Sequence, residues 1–346
     1  MLILILILVI ILLISYATKT EKFVNYKTVT VTPSKTIYEG LVLNIPADKY
    51  IYSNLAGKLK DIYPIKHISY DKIMNIIKNI QENNNYIGII PDVMKIVNPD
   101  NFKHTRFISS IGLERFTLIS PNNSTIKTWS QTNSKVIGVI ENSSAFYVLK
   151  YIKKMFSLSF KIITIKKFRE SIIKDFKNKR FEAFFMIIAH PNNLLTKIHK
   201  ELPINFIGTE GMDENLITIV FPNLLKGKID LTHYNIFNSQ PDTLLVKLDV
   251  ITNKNFSKDN GYNLIQTLFK NLLRIKSSGS DTYKMQMRDF NPEYIYLSNN
   301  NQKLHKGVYR FYKNIGLITT NPERSCRYKV GIGECNIKKI NHFRLL

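Results

Sequence analysis

Cysteine and tryptophan are scarce in this sequence, which limits the covalent and metal-based stabilisation open to it. The 346 residues include two cysteines and one tryptophan. Cys326 and Cys335 lie within "CRYKVGIGEC", where the spacing is compatible with one short-loop disulfide or with two free thiols. A zinc site would need two further ligands from elsewhere in the chain. We therefore predict neither a metal nor a cofactor.

The motifs of the common enzyme classes are also absent. The seven histidines show no HExxH spacing, and the sequence contains no GxSxG, Walker A or GxGxxG motif. Such motifs place metal ligands, nucleophiles or phosphate-binding backbone at fixed positions. The sequence therefore predicts a protein without enzymatic activity.

Acidic residues are few relative to basic ones. Asp and Glu number 26 against 49 Lys and Arg, which gives a formal net charge of +23. The basic residues are spread along the chain without a zinc-finger, homeodomain or RNP pattern, so nucleic acid is not predicted as a partner. Hydrophobic residues make up 44% of the chain, which is enough to build a core and excludes wholesale disorder.

The first 17 residues, "MLILILILVIILLISYA", contain no charged side chain. A run of this length is at the lower limit for a helix that crosses a bilayer. The sequence Ser15-Tyr16-Ala17 also resembles a signal-peptide cleavage site, but no basic residues precede the apolar run, which favours a retained anchor. We predict a single-pass membrane protein with residues 18–37 as a stalk. The sequence does not decide which side of the membrane carries the body of the protein.

Downstream, short apolar runs alternate with amphipathic segments. Strands are predicted at 41–45, 86–90, 106–121 (as two strands), 135–140, 160–165 and 181–188, and helices at 50–63, 71–84, 144–156, 168–180 and 263–275. Apolar strands separated by helices indicate parallel strands covered on both faces. The predicted fold class is therefore α/β.

Several segments occur in an order that is typical of one receptor family. They are "YIGIIPDV" (86–93), "FKNKRFEAFFMIIAHP" (176–191), "VKLDVITNKNFSKDNGYNLIQTLFKN" (246–271) and "LHKGVYRFYKNIG" (304–316). In these segments the chain resembles the TAXI-type solute receptors of TRAP transporters, which have the type II periplasmic-binding-protein fold. The resemblance covers roughly residues 38–316.

The resemblance implies two lobes that close on a small, anionic solute. Residues 38–120 and 232–316 would form the first lobe, residues 121–231 the second, and 317–346 a basic tail. A helix over 303–316 would cap the first lobe, with Tyr309 and either Tyr312 or Phe311 packed inward because positions three apart share a helix face.

A site of this kind uses helix N-termini, whose backbone N–H groups and dipole favour an anion. The implied site lies between loops 44–50, 69–72, 90–92 and 141–145. Its candidate residues are Asn44, Lys49, Tyr50, Ser69, Tyr70, Asp92, Asn142, Ser143 and Ser144. Ser69 is a candidate N-cap for the helix at 71–84, and Asn142, Ser143 or Ser144 for the helix at 144–156; ordinary capping is the alternative role for each.

The sequence departs from the family where glycines are expected. Ser69-Tyr70 replaces a glycine pair, Ser144 replaces the glycine after Ser143, and His190 replaces a glycine before proline. Glycine lets backbone approach a ligand closely, so these changes leave two functions open. One is a membrane-tethered solute-binding module with an unspecified transporter partner. The other is a non-catalytic structural or interaction protein, such as a virus-encoded membrane protein, that keeps the fold with a degenerate site.

Overall fold

The structure is a computed structural model that describes residues 42–46, 66–70, 72–166, 171–222, 224–237, 240–271 and 304–315. All of them belong to one unit, Tyr38–Leu346. The predictions for the stalk, the helix at 50–63, both cysteines and the basic tail lie outside the described residues.

The predicted membrane localisation requires a correction. Across the described ranges, no helix is both long enough and apolar enough to cross a membrane. The segment 1–17, on which the prediction of an anchor depended, lies outside those ranges.

The described residues form a mixed α/β structure, which confirms the predicted class. The strands are β1 (Val42–Pro46), β2 (Lys66–Tyr70), β3 (Tyr86–Pro91), β4 (Thr105–Pro121), β5 (Val136–Ile140), β6 (Lys161–Ile165), β7 (Ala183–Ile188), β8 (Ile204–Ile207), β9 (Leu225–Lys228) and β10 (Asp242–Asn253). The helices are α1 (Ile73–Glu82), α2 (Met94–Val97), α3 (Ser144–Met155), α4 (Ser171–Lys177), α5 (Asn193–Glu201), α6 (Glu214–Val220), α7 (Lys258–Lys270) and α8 (Lys306–Asn314).

Two long strands link the two halves of the sheet. The strand order is β2-β1-β3-β10-β4-β7-β5-β6, with β8 paired to β4 and β9 to β10. In the first half, β1 is parallel to β2 and β3, and β10 is antiparallel to both β3 and β4. In the second half, β5 is parallel to β6 and β7, and β7 is antiparallel to β4.

The hydrophobic core is divided in the same way. Residues from the first part of β4, such as Ile111, pack with α7 and α8, whereas Phe116 packs with the second half. In β5, Ile137 and Val139 face α3, whereas Val136 and Ile140 face the side covered by α4. This alternation is the period of two expected of a strand buried on both faces.

The prediction of two strands over 106–121 was wrong, because β4 is one strand of 17 residues. It pairs first with β10, with two register shifts, and then with β7 and β8. Gly112, at its middle, does not form a turn. A register shift with β10 falls at this position, and the pairing resumes on both sides of it, so the chain continues in the same direction.

The predicted C-terminal helix is confirmed as α8, with one side chain misplaced. Phe311 and Tyr312 are buried, but Tyr309 is 46% exposed. The buried stripe starts at Val308 and continues three and four residues later, so Tyr309 falls about 100° away around the helix. The helix lies very close to α7: a Cβ on Gly307 would come within 1.9 Å of the Lys258 carbonyl oxygen.

Candidate functional site

The loop after β5 and the start of α1 meet directly. The backbone N–H of Ile73, the first residue of α1, donates to the carbonyl oxygen of Asn142 at 3.2 Å. Asn142 adopts φ 59°, a left-handed conformation that asparagine tolerates better than most residues. Two of the loops predicted to line the site, 69–72 and 141–145, are therefore brought together.

The N-cap of α3 is Ser143, which was one of the three residues predicted for that position. Its Oγ accepts from the backbone N–H of Phe146 at 3.2 Å, and its hydroxyl donates to the Ile140 carbonyl oxygen at 2.8 Å. The backbone N–H of Tyr147 donates to the Ser143 carbonyl oxygen. These bonds fix where α3 begins and which of its N–H groups remain available.

Ser144 is the polar residue left over at this helix start. It is 2% exposed, and its Oγ has no hydrogen-bond partner among the described residues. Within the same ranges, no acceptor takes up the backbone N–H groups of Ser144 and Ala145. A buried hydroxyl without a partner costs about 1–3 kcal/mol. The three groups together form a donor set at the positive end of a helix.

Some of the remaining predicted site residues lie in described strands, and others lie outside the described residues. Ser69 is not the N-cap of α1, because that position is Lys72, which makes no side-chain cap. Ser69 and Tyr70 are the last residues of β2, and Asn44 lies within β1, paired with Ile68 and Gly88. Lys49 and Tyr50 lie outside the described residues.

Asp92 follows β3 and is held by β10. Its backbone N–H donates to the Lys247 carbonyl oxygen at 2.8 Å, and its Oδ1 accepts from the Lys247 N–H at 3.1 Å. The other carboxyl oxygen lies 3.8 Å from the Lys247 Nζ. Burial, reinforced by the nearby charge of Asp249, raises the pKa of Asp92 from 3.8 to about 7.

A second buried ion pair adjoins Asp92. The Lys95 Nζ contacts Asp249 Oδ2 at 2.5 Å, and the Ser110 hydroxyl donates to Asp249 Oδ1 at 2.7 Å. Burial lowers the pKa of Lys95, and the Asp249 carboxylate opposes that shift. These contacts tie α2, β4 and β10 together where the two halves of the sheet join.

His190 belongs to a buried polar group that the sequence did not reveal. Its Nε2 lies 2.8 Å from Thr117 Oγ1 and its Nδ1 lies 2.8 Å from the Tyr234 hydroxyl. The backbone N–H of Asn192 donates to the same hydroxyl. Burial, with a smaller effect from Arg115, lowers the pKa of His190 from 6.5 to about 3. The signal available in the sequence was a lone histidine before proline, which is weak.

Asp92 and His190 give the stability of the fold opposing dependences on pH. The folded state binds the Asp92 proton more tightly than the unfolded chain does, so its contribution is full below about pH 4 and is lost as pH rises to about 7. The folded state binds the His190 proton less tightly, so its contribution is present above about pH 6.5 and is lost as pH falls towards 3.

We expect Asp92→Asn to remove one of these dependences. The free energy of unfolding of the wild type minus that of the variant should fall as pH rises from about 4 to about 7, because only the wild type loses the Asp92 contribution. Urea titrations at four pH values across this window measure the difference. The corresponding difference for His190→Gln should change in the opposite direction. Parallel curves for the wild type and both variants would refute the assignment.

A groove of about 420 Å³ lies between α6, β9 and β10. Three of its charged side chains have partners: Glu210 accepts from the N–H groups of Gly208 and Asp242, and Lys226 pairs with Glu214 at 2.9 Å. In the part of the chain that the structure describes, no group of three His, Cys, Asp or Glu is placed to hold a metal ion. The start of α3 is therefore the better candidate site.

The NMT1-like family matches residues 93–316, which is more than half of the chain. The chain belongs to the NMT1-like family. No curated protein matches it. The α/β class predicted from the sequence is confirmed, with the two halves of the sheet joined through β4 and β10.

Solved structures with similarity to the chain include three solute-binding proteins. The substrate binding protein of an amino acid ABC transporter is 13% identical, with 72% of this chain and 98% of that chain covered and a TM-score of 0.42. The arginine-, lysine-, histidine-binding protein ArtJ from Geobacillus stearothermophilus is 11% identical, with 75% and 99% covered and a TM-score of 0.45. The periplasmic aliphatic sulphonate binding protein SsuA from Escherichia coli is 10% identical, with 79% and 87% covered and a TM-score of 0.42.

Proposed function

We propose that this chain is a non-catalytic solute-binding module that holds the acidic group of a small solute at the start of α3. The observation that carries the proposal is the Ser144 hydroxyl, which is buried and has no partner among the described residues. The N–H groups of Ser144 and Ala145 add two donors beside it. Membership of the NMT1-like family, together with the order of segments that resembles TAXI receptors, supports the same role.

The chemistry of this donor set favours an anion. A carboxylate or sulphonate oxygen accepts hydrogen bonds and carries no proton at neutral pH, so it satisfies N–H and hydroxyl donors without adding a competing donor. The positive end of the α3 dipole contributes about 0.3–1 kcal/mol more. A cationic group would meet two N–H donors and the positive end of the helix dipole there, with the Ser144 Oγ as the one acceptor in this set.

The arrangement of the halves supports a site between them. The proposed lobes are residues 38–120 with 232–316 and residues 121–231, which puts the crossings near Ser120 and between Leu231 and Asp249. The hydrophobic core changes from one half to the other within β4 and within β10. The Ile73–Asn142 hydrogen bond places the start of α1 next to the start of α3. A solute bound at Ser144 would therefore contact both halves.

A thermal-shift experiment on the full chain tests the proposal. The probes are L-glutamate, succinate and taurine, each titrated to millimolar concentration. A probe present at 100 times its dissociation constant should add about 2.7 kcal/mol of stability. Ser144→Ala should weaken the binding of that probe about fivefold or more, because the hydroxyl donor is lost while the space is kept. Ser157→Ala, at the opposite end of α3, is the matched control and should leave binding unchanged.

A second function is favoured by one specific observation. Tyr147, on α3 in the second half, packs against the buried cluster that α1 forms with Ile90 and Ile251 in the first half. Protein side chains thus occupy part of the space between the halves, as expected of an interaction protein with a degenerate site. No stabilisation by any probe, with identical behaviour of Ser144→Ala and the wild type, would establish this alternative over solute binding.

A further inference from the structure

The sheet ends at β6 on the side of the second half. β6 pairs in parallel with β5 over Lys161–Ile165, and none of the described strands pairs with its outer side. A strand at the end of a sheet presents a row of backbone N–H and C=O groups to its surroundings. The outer side of β6 is therefore a surface on which another strand could be added.

The register shows which residues present these groups. The Lys161 N–H donates to the Lys135 carbonyl oxygen at 2.8 Å, and the Ile165 carbonyl oxygen accepts from the Glu141 N–H at 3.0 Å. In a parallel pair, alternate residues bond to the same neighbour. The odd-numbered residues of β6 thus bond to β5, and the N–H and C=O groups of Ile162 and Thr164 point outward.

Lysines occur on β6 itself, directly after it, and on the two helices that cover the second half. The helix α3 covers one face of the second half and α4 covers the other. We call the outer side of β6, together with six lysines on β6, directly after it or on these two helices, the basic edge; the lysines are Lys153, Lys154, Lys161, Lys166, Lys174 and Lys177. The Nζ of Lys153 lies over the ring of Phe160, next to the first residue of β6. The nearby acid Asp175 is buried and pairs with Arg180.

The charge of the basic edge decides which kind of strand it can accept. A second copy of this chain would place the same lysines opposite one another, and like charges that face each other across a strand pair are destabilising. Lysines on an edge strand protect against such self-association. The same lysines attract a strand that carries carboxylates. A nucleic acid could also pair its phosphates with the lysines, but it would leave the outward N–H and C=O groups of β6 without strand partners.

We propose that the basic edge is a docking site for an extended acidic peptide segment of a partner protein, which adds a strand beside β6. The peptide backbone would bond to the outward groups of Ile162 and Thr164, and its carboxylates would lie among the lysines. Strand addition of this kind supplies affinity through main-chain bonds and selectivity through alternate side chains. This role is independent of solute binding at Ser144.

Fluorescence anisotropy with the full chain tests the proposal. The probe is a fluorescein-labelled decapeptide that alternates Glu and Thr. Two comparison probes are a decapeptide of equal charge that alternates Glu and Pro, and the oligonucleotide dT10. The Glu–Thr peptide should bind at least tenfold more tightly than the Glu–Pro peptide, because proline fixes φ at about −65°, away from the strand value, and leaves N–H donors for β6 in only one of the two possible registers. Its affinity should fall as salt is raised.

Two variants separate main-chain pairing from charge. Thr164→Pro removes an outward donor and leaves the bonds to β5 intact, since the odd-numbered residues make them; we expect at least tenfold weaker binding of the Glu–Thr peptide. Lys161→Glu/Lys166→Glu should weaken it by a similar factor. The matched control, Lys197→Glu/Lys200→Glu on α5, makes the same charge change away from β6 and should have a much smaller effect.

Three outcomes would overturn the proposal. One is equal binding of the Glu–Thr and Glu–Pro peptides, which would show charge attraction without strand addition. Another is tighter binding of dT10 than of the Glu–Thr peptide. The third is an equal loss of affinity in the Lys161/Lys166 variant and in the α5 control. Because Lys161→Glu/Lys166→Glu changes only exposed side chains, it remains informative even if Thr164→Pro fails to fold.

Discussion

Replacing Asp249 with alanine is expected to lower the free energy of unfolding by about 3–5 kcal/mol, the cost of removing one partner from a buried ion pair. Asp249 is 2% exposed and contacts both Lys95 and Ser110. Without its carboxylate, the Lys95 ammonium would lose its closest counter-charge while the lysine stays largely buried. The Ser110 hydroxyl would lose its acceptor as well.

Urea titration followed by circular dichroism measures this loss. The matched control is Asp259→Ala, which breaks an exposed ion pair with Arg310 and should cost less than about 1 kcal/mol. A double variant, Lys95→Met/Asp249→Ala, should recover part of the stability lost by Asp249→Ala, because it also removes the stranded charge. Equal losses in Asp249→Ala and Asp259→Ala would show that the buried pair does not stabilise the junction.

Trp129→Ala is expected to be about as costly, at about 3–5 kcal/mol. Trp129 is 1% exposed, and its ring lies 5.5 Å from that of Phe185 in an edge-to-face arrangement. Its indole N–H donates to the Gly208 carbonyl oxygen at 2.5 Å. Its backbone N–H donates to the Glu210 carbonyl oxygen. The variant would leave a cavity in the second half and remove the donor that serves Gly208.

The effect of Trp129→Ala should be followed by circular dichroism, because the chain has no other tryptophan to report unfolding by fluorescence. Phe237→Ala is the control, since Phe237 is 74% exposed and should change stability by no more than about 0.5 kcal/mol. A Trp129→Ala variant as stable as Phe237→Ala would mean that the loop around residue 129 is not anchored by this side chain.

The elements predicted best from the sequence are those whose secondary structure is determined by the periodicity of their own residues. The spacing of apolar residues over 71–84 predicted a helix, and α1 buries Ile73, Ile76, Ile77 and Ile80 from that stretch. The apolar run at 86–90 likewise became β3. In both cases one periodicity is present and nothing distant competes with it.

Elements decided by distant partners were harder to predict. The strand β2 contains "KHISY", which has little alternation, and it forms because β1 lies beside it. The unbroken course of β4 depends on partners that follow it in the chain by more than 60 residues. Pattern within a short window carries no information about such pairing.

The sequence allowed a candidate site to be proposed from loops and caps, but not the contacts that distant segments make there. Ser143 could be recognised as a cap because a small hydroxyl preceded a helical pattern. The bonds between Asp92 and the backbone of Lys247 span 155 residues, and the group around His190 joins residues from three separate segments. Those contacts exist only once the fold has brought the segments together.

The position of β10 has a consequence for how the chain acquires its structure during synthesis. β10 lies between β3 and β4 in the sheet but follows both in the chain, separated from β4 by residues 122–241. A nascent chain therefore exposes the facing edges of β3 and β4 until Asn253 has been made, whereas β5, β6 and β7 with α3 and α4 can pair among near neighbours. Pairing across such a distance is slow and leaves strand edges open to aggregation. The second half is thus expected to begin forming first on the ribosome, and the arrival of β10 is the step that joins β3 to β4 before α7 and α8 complete the first half.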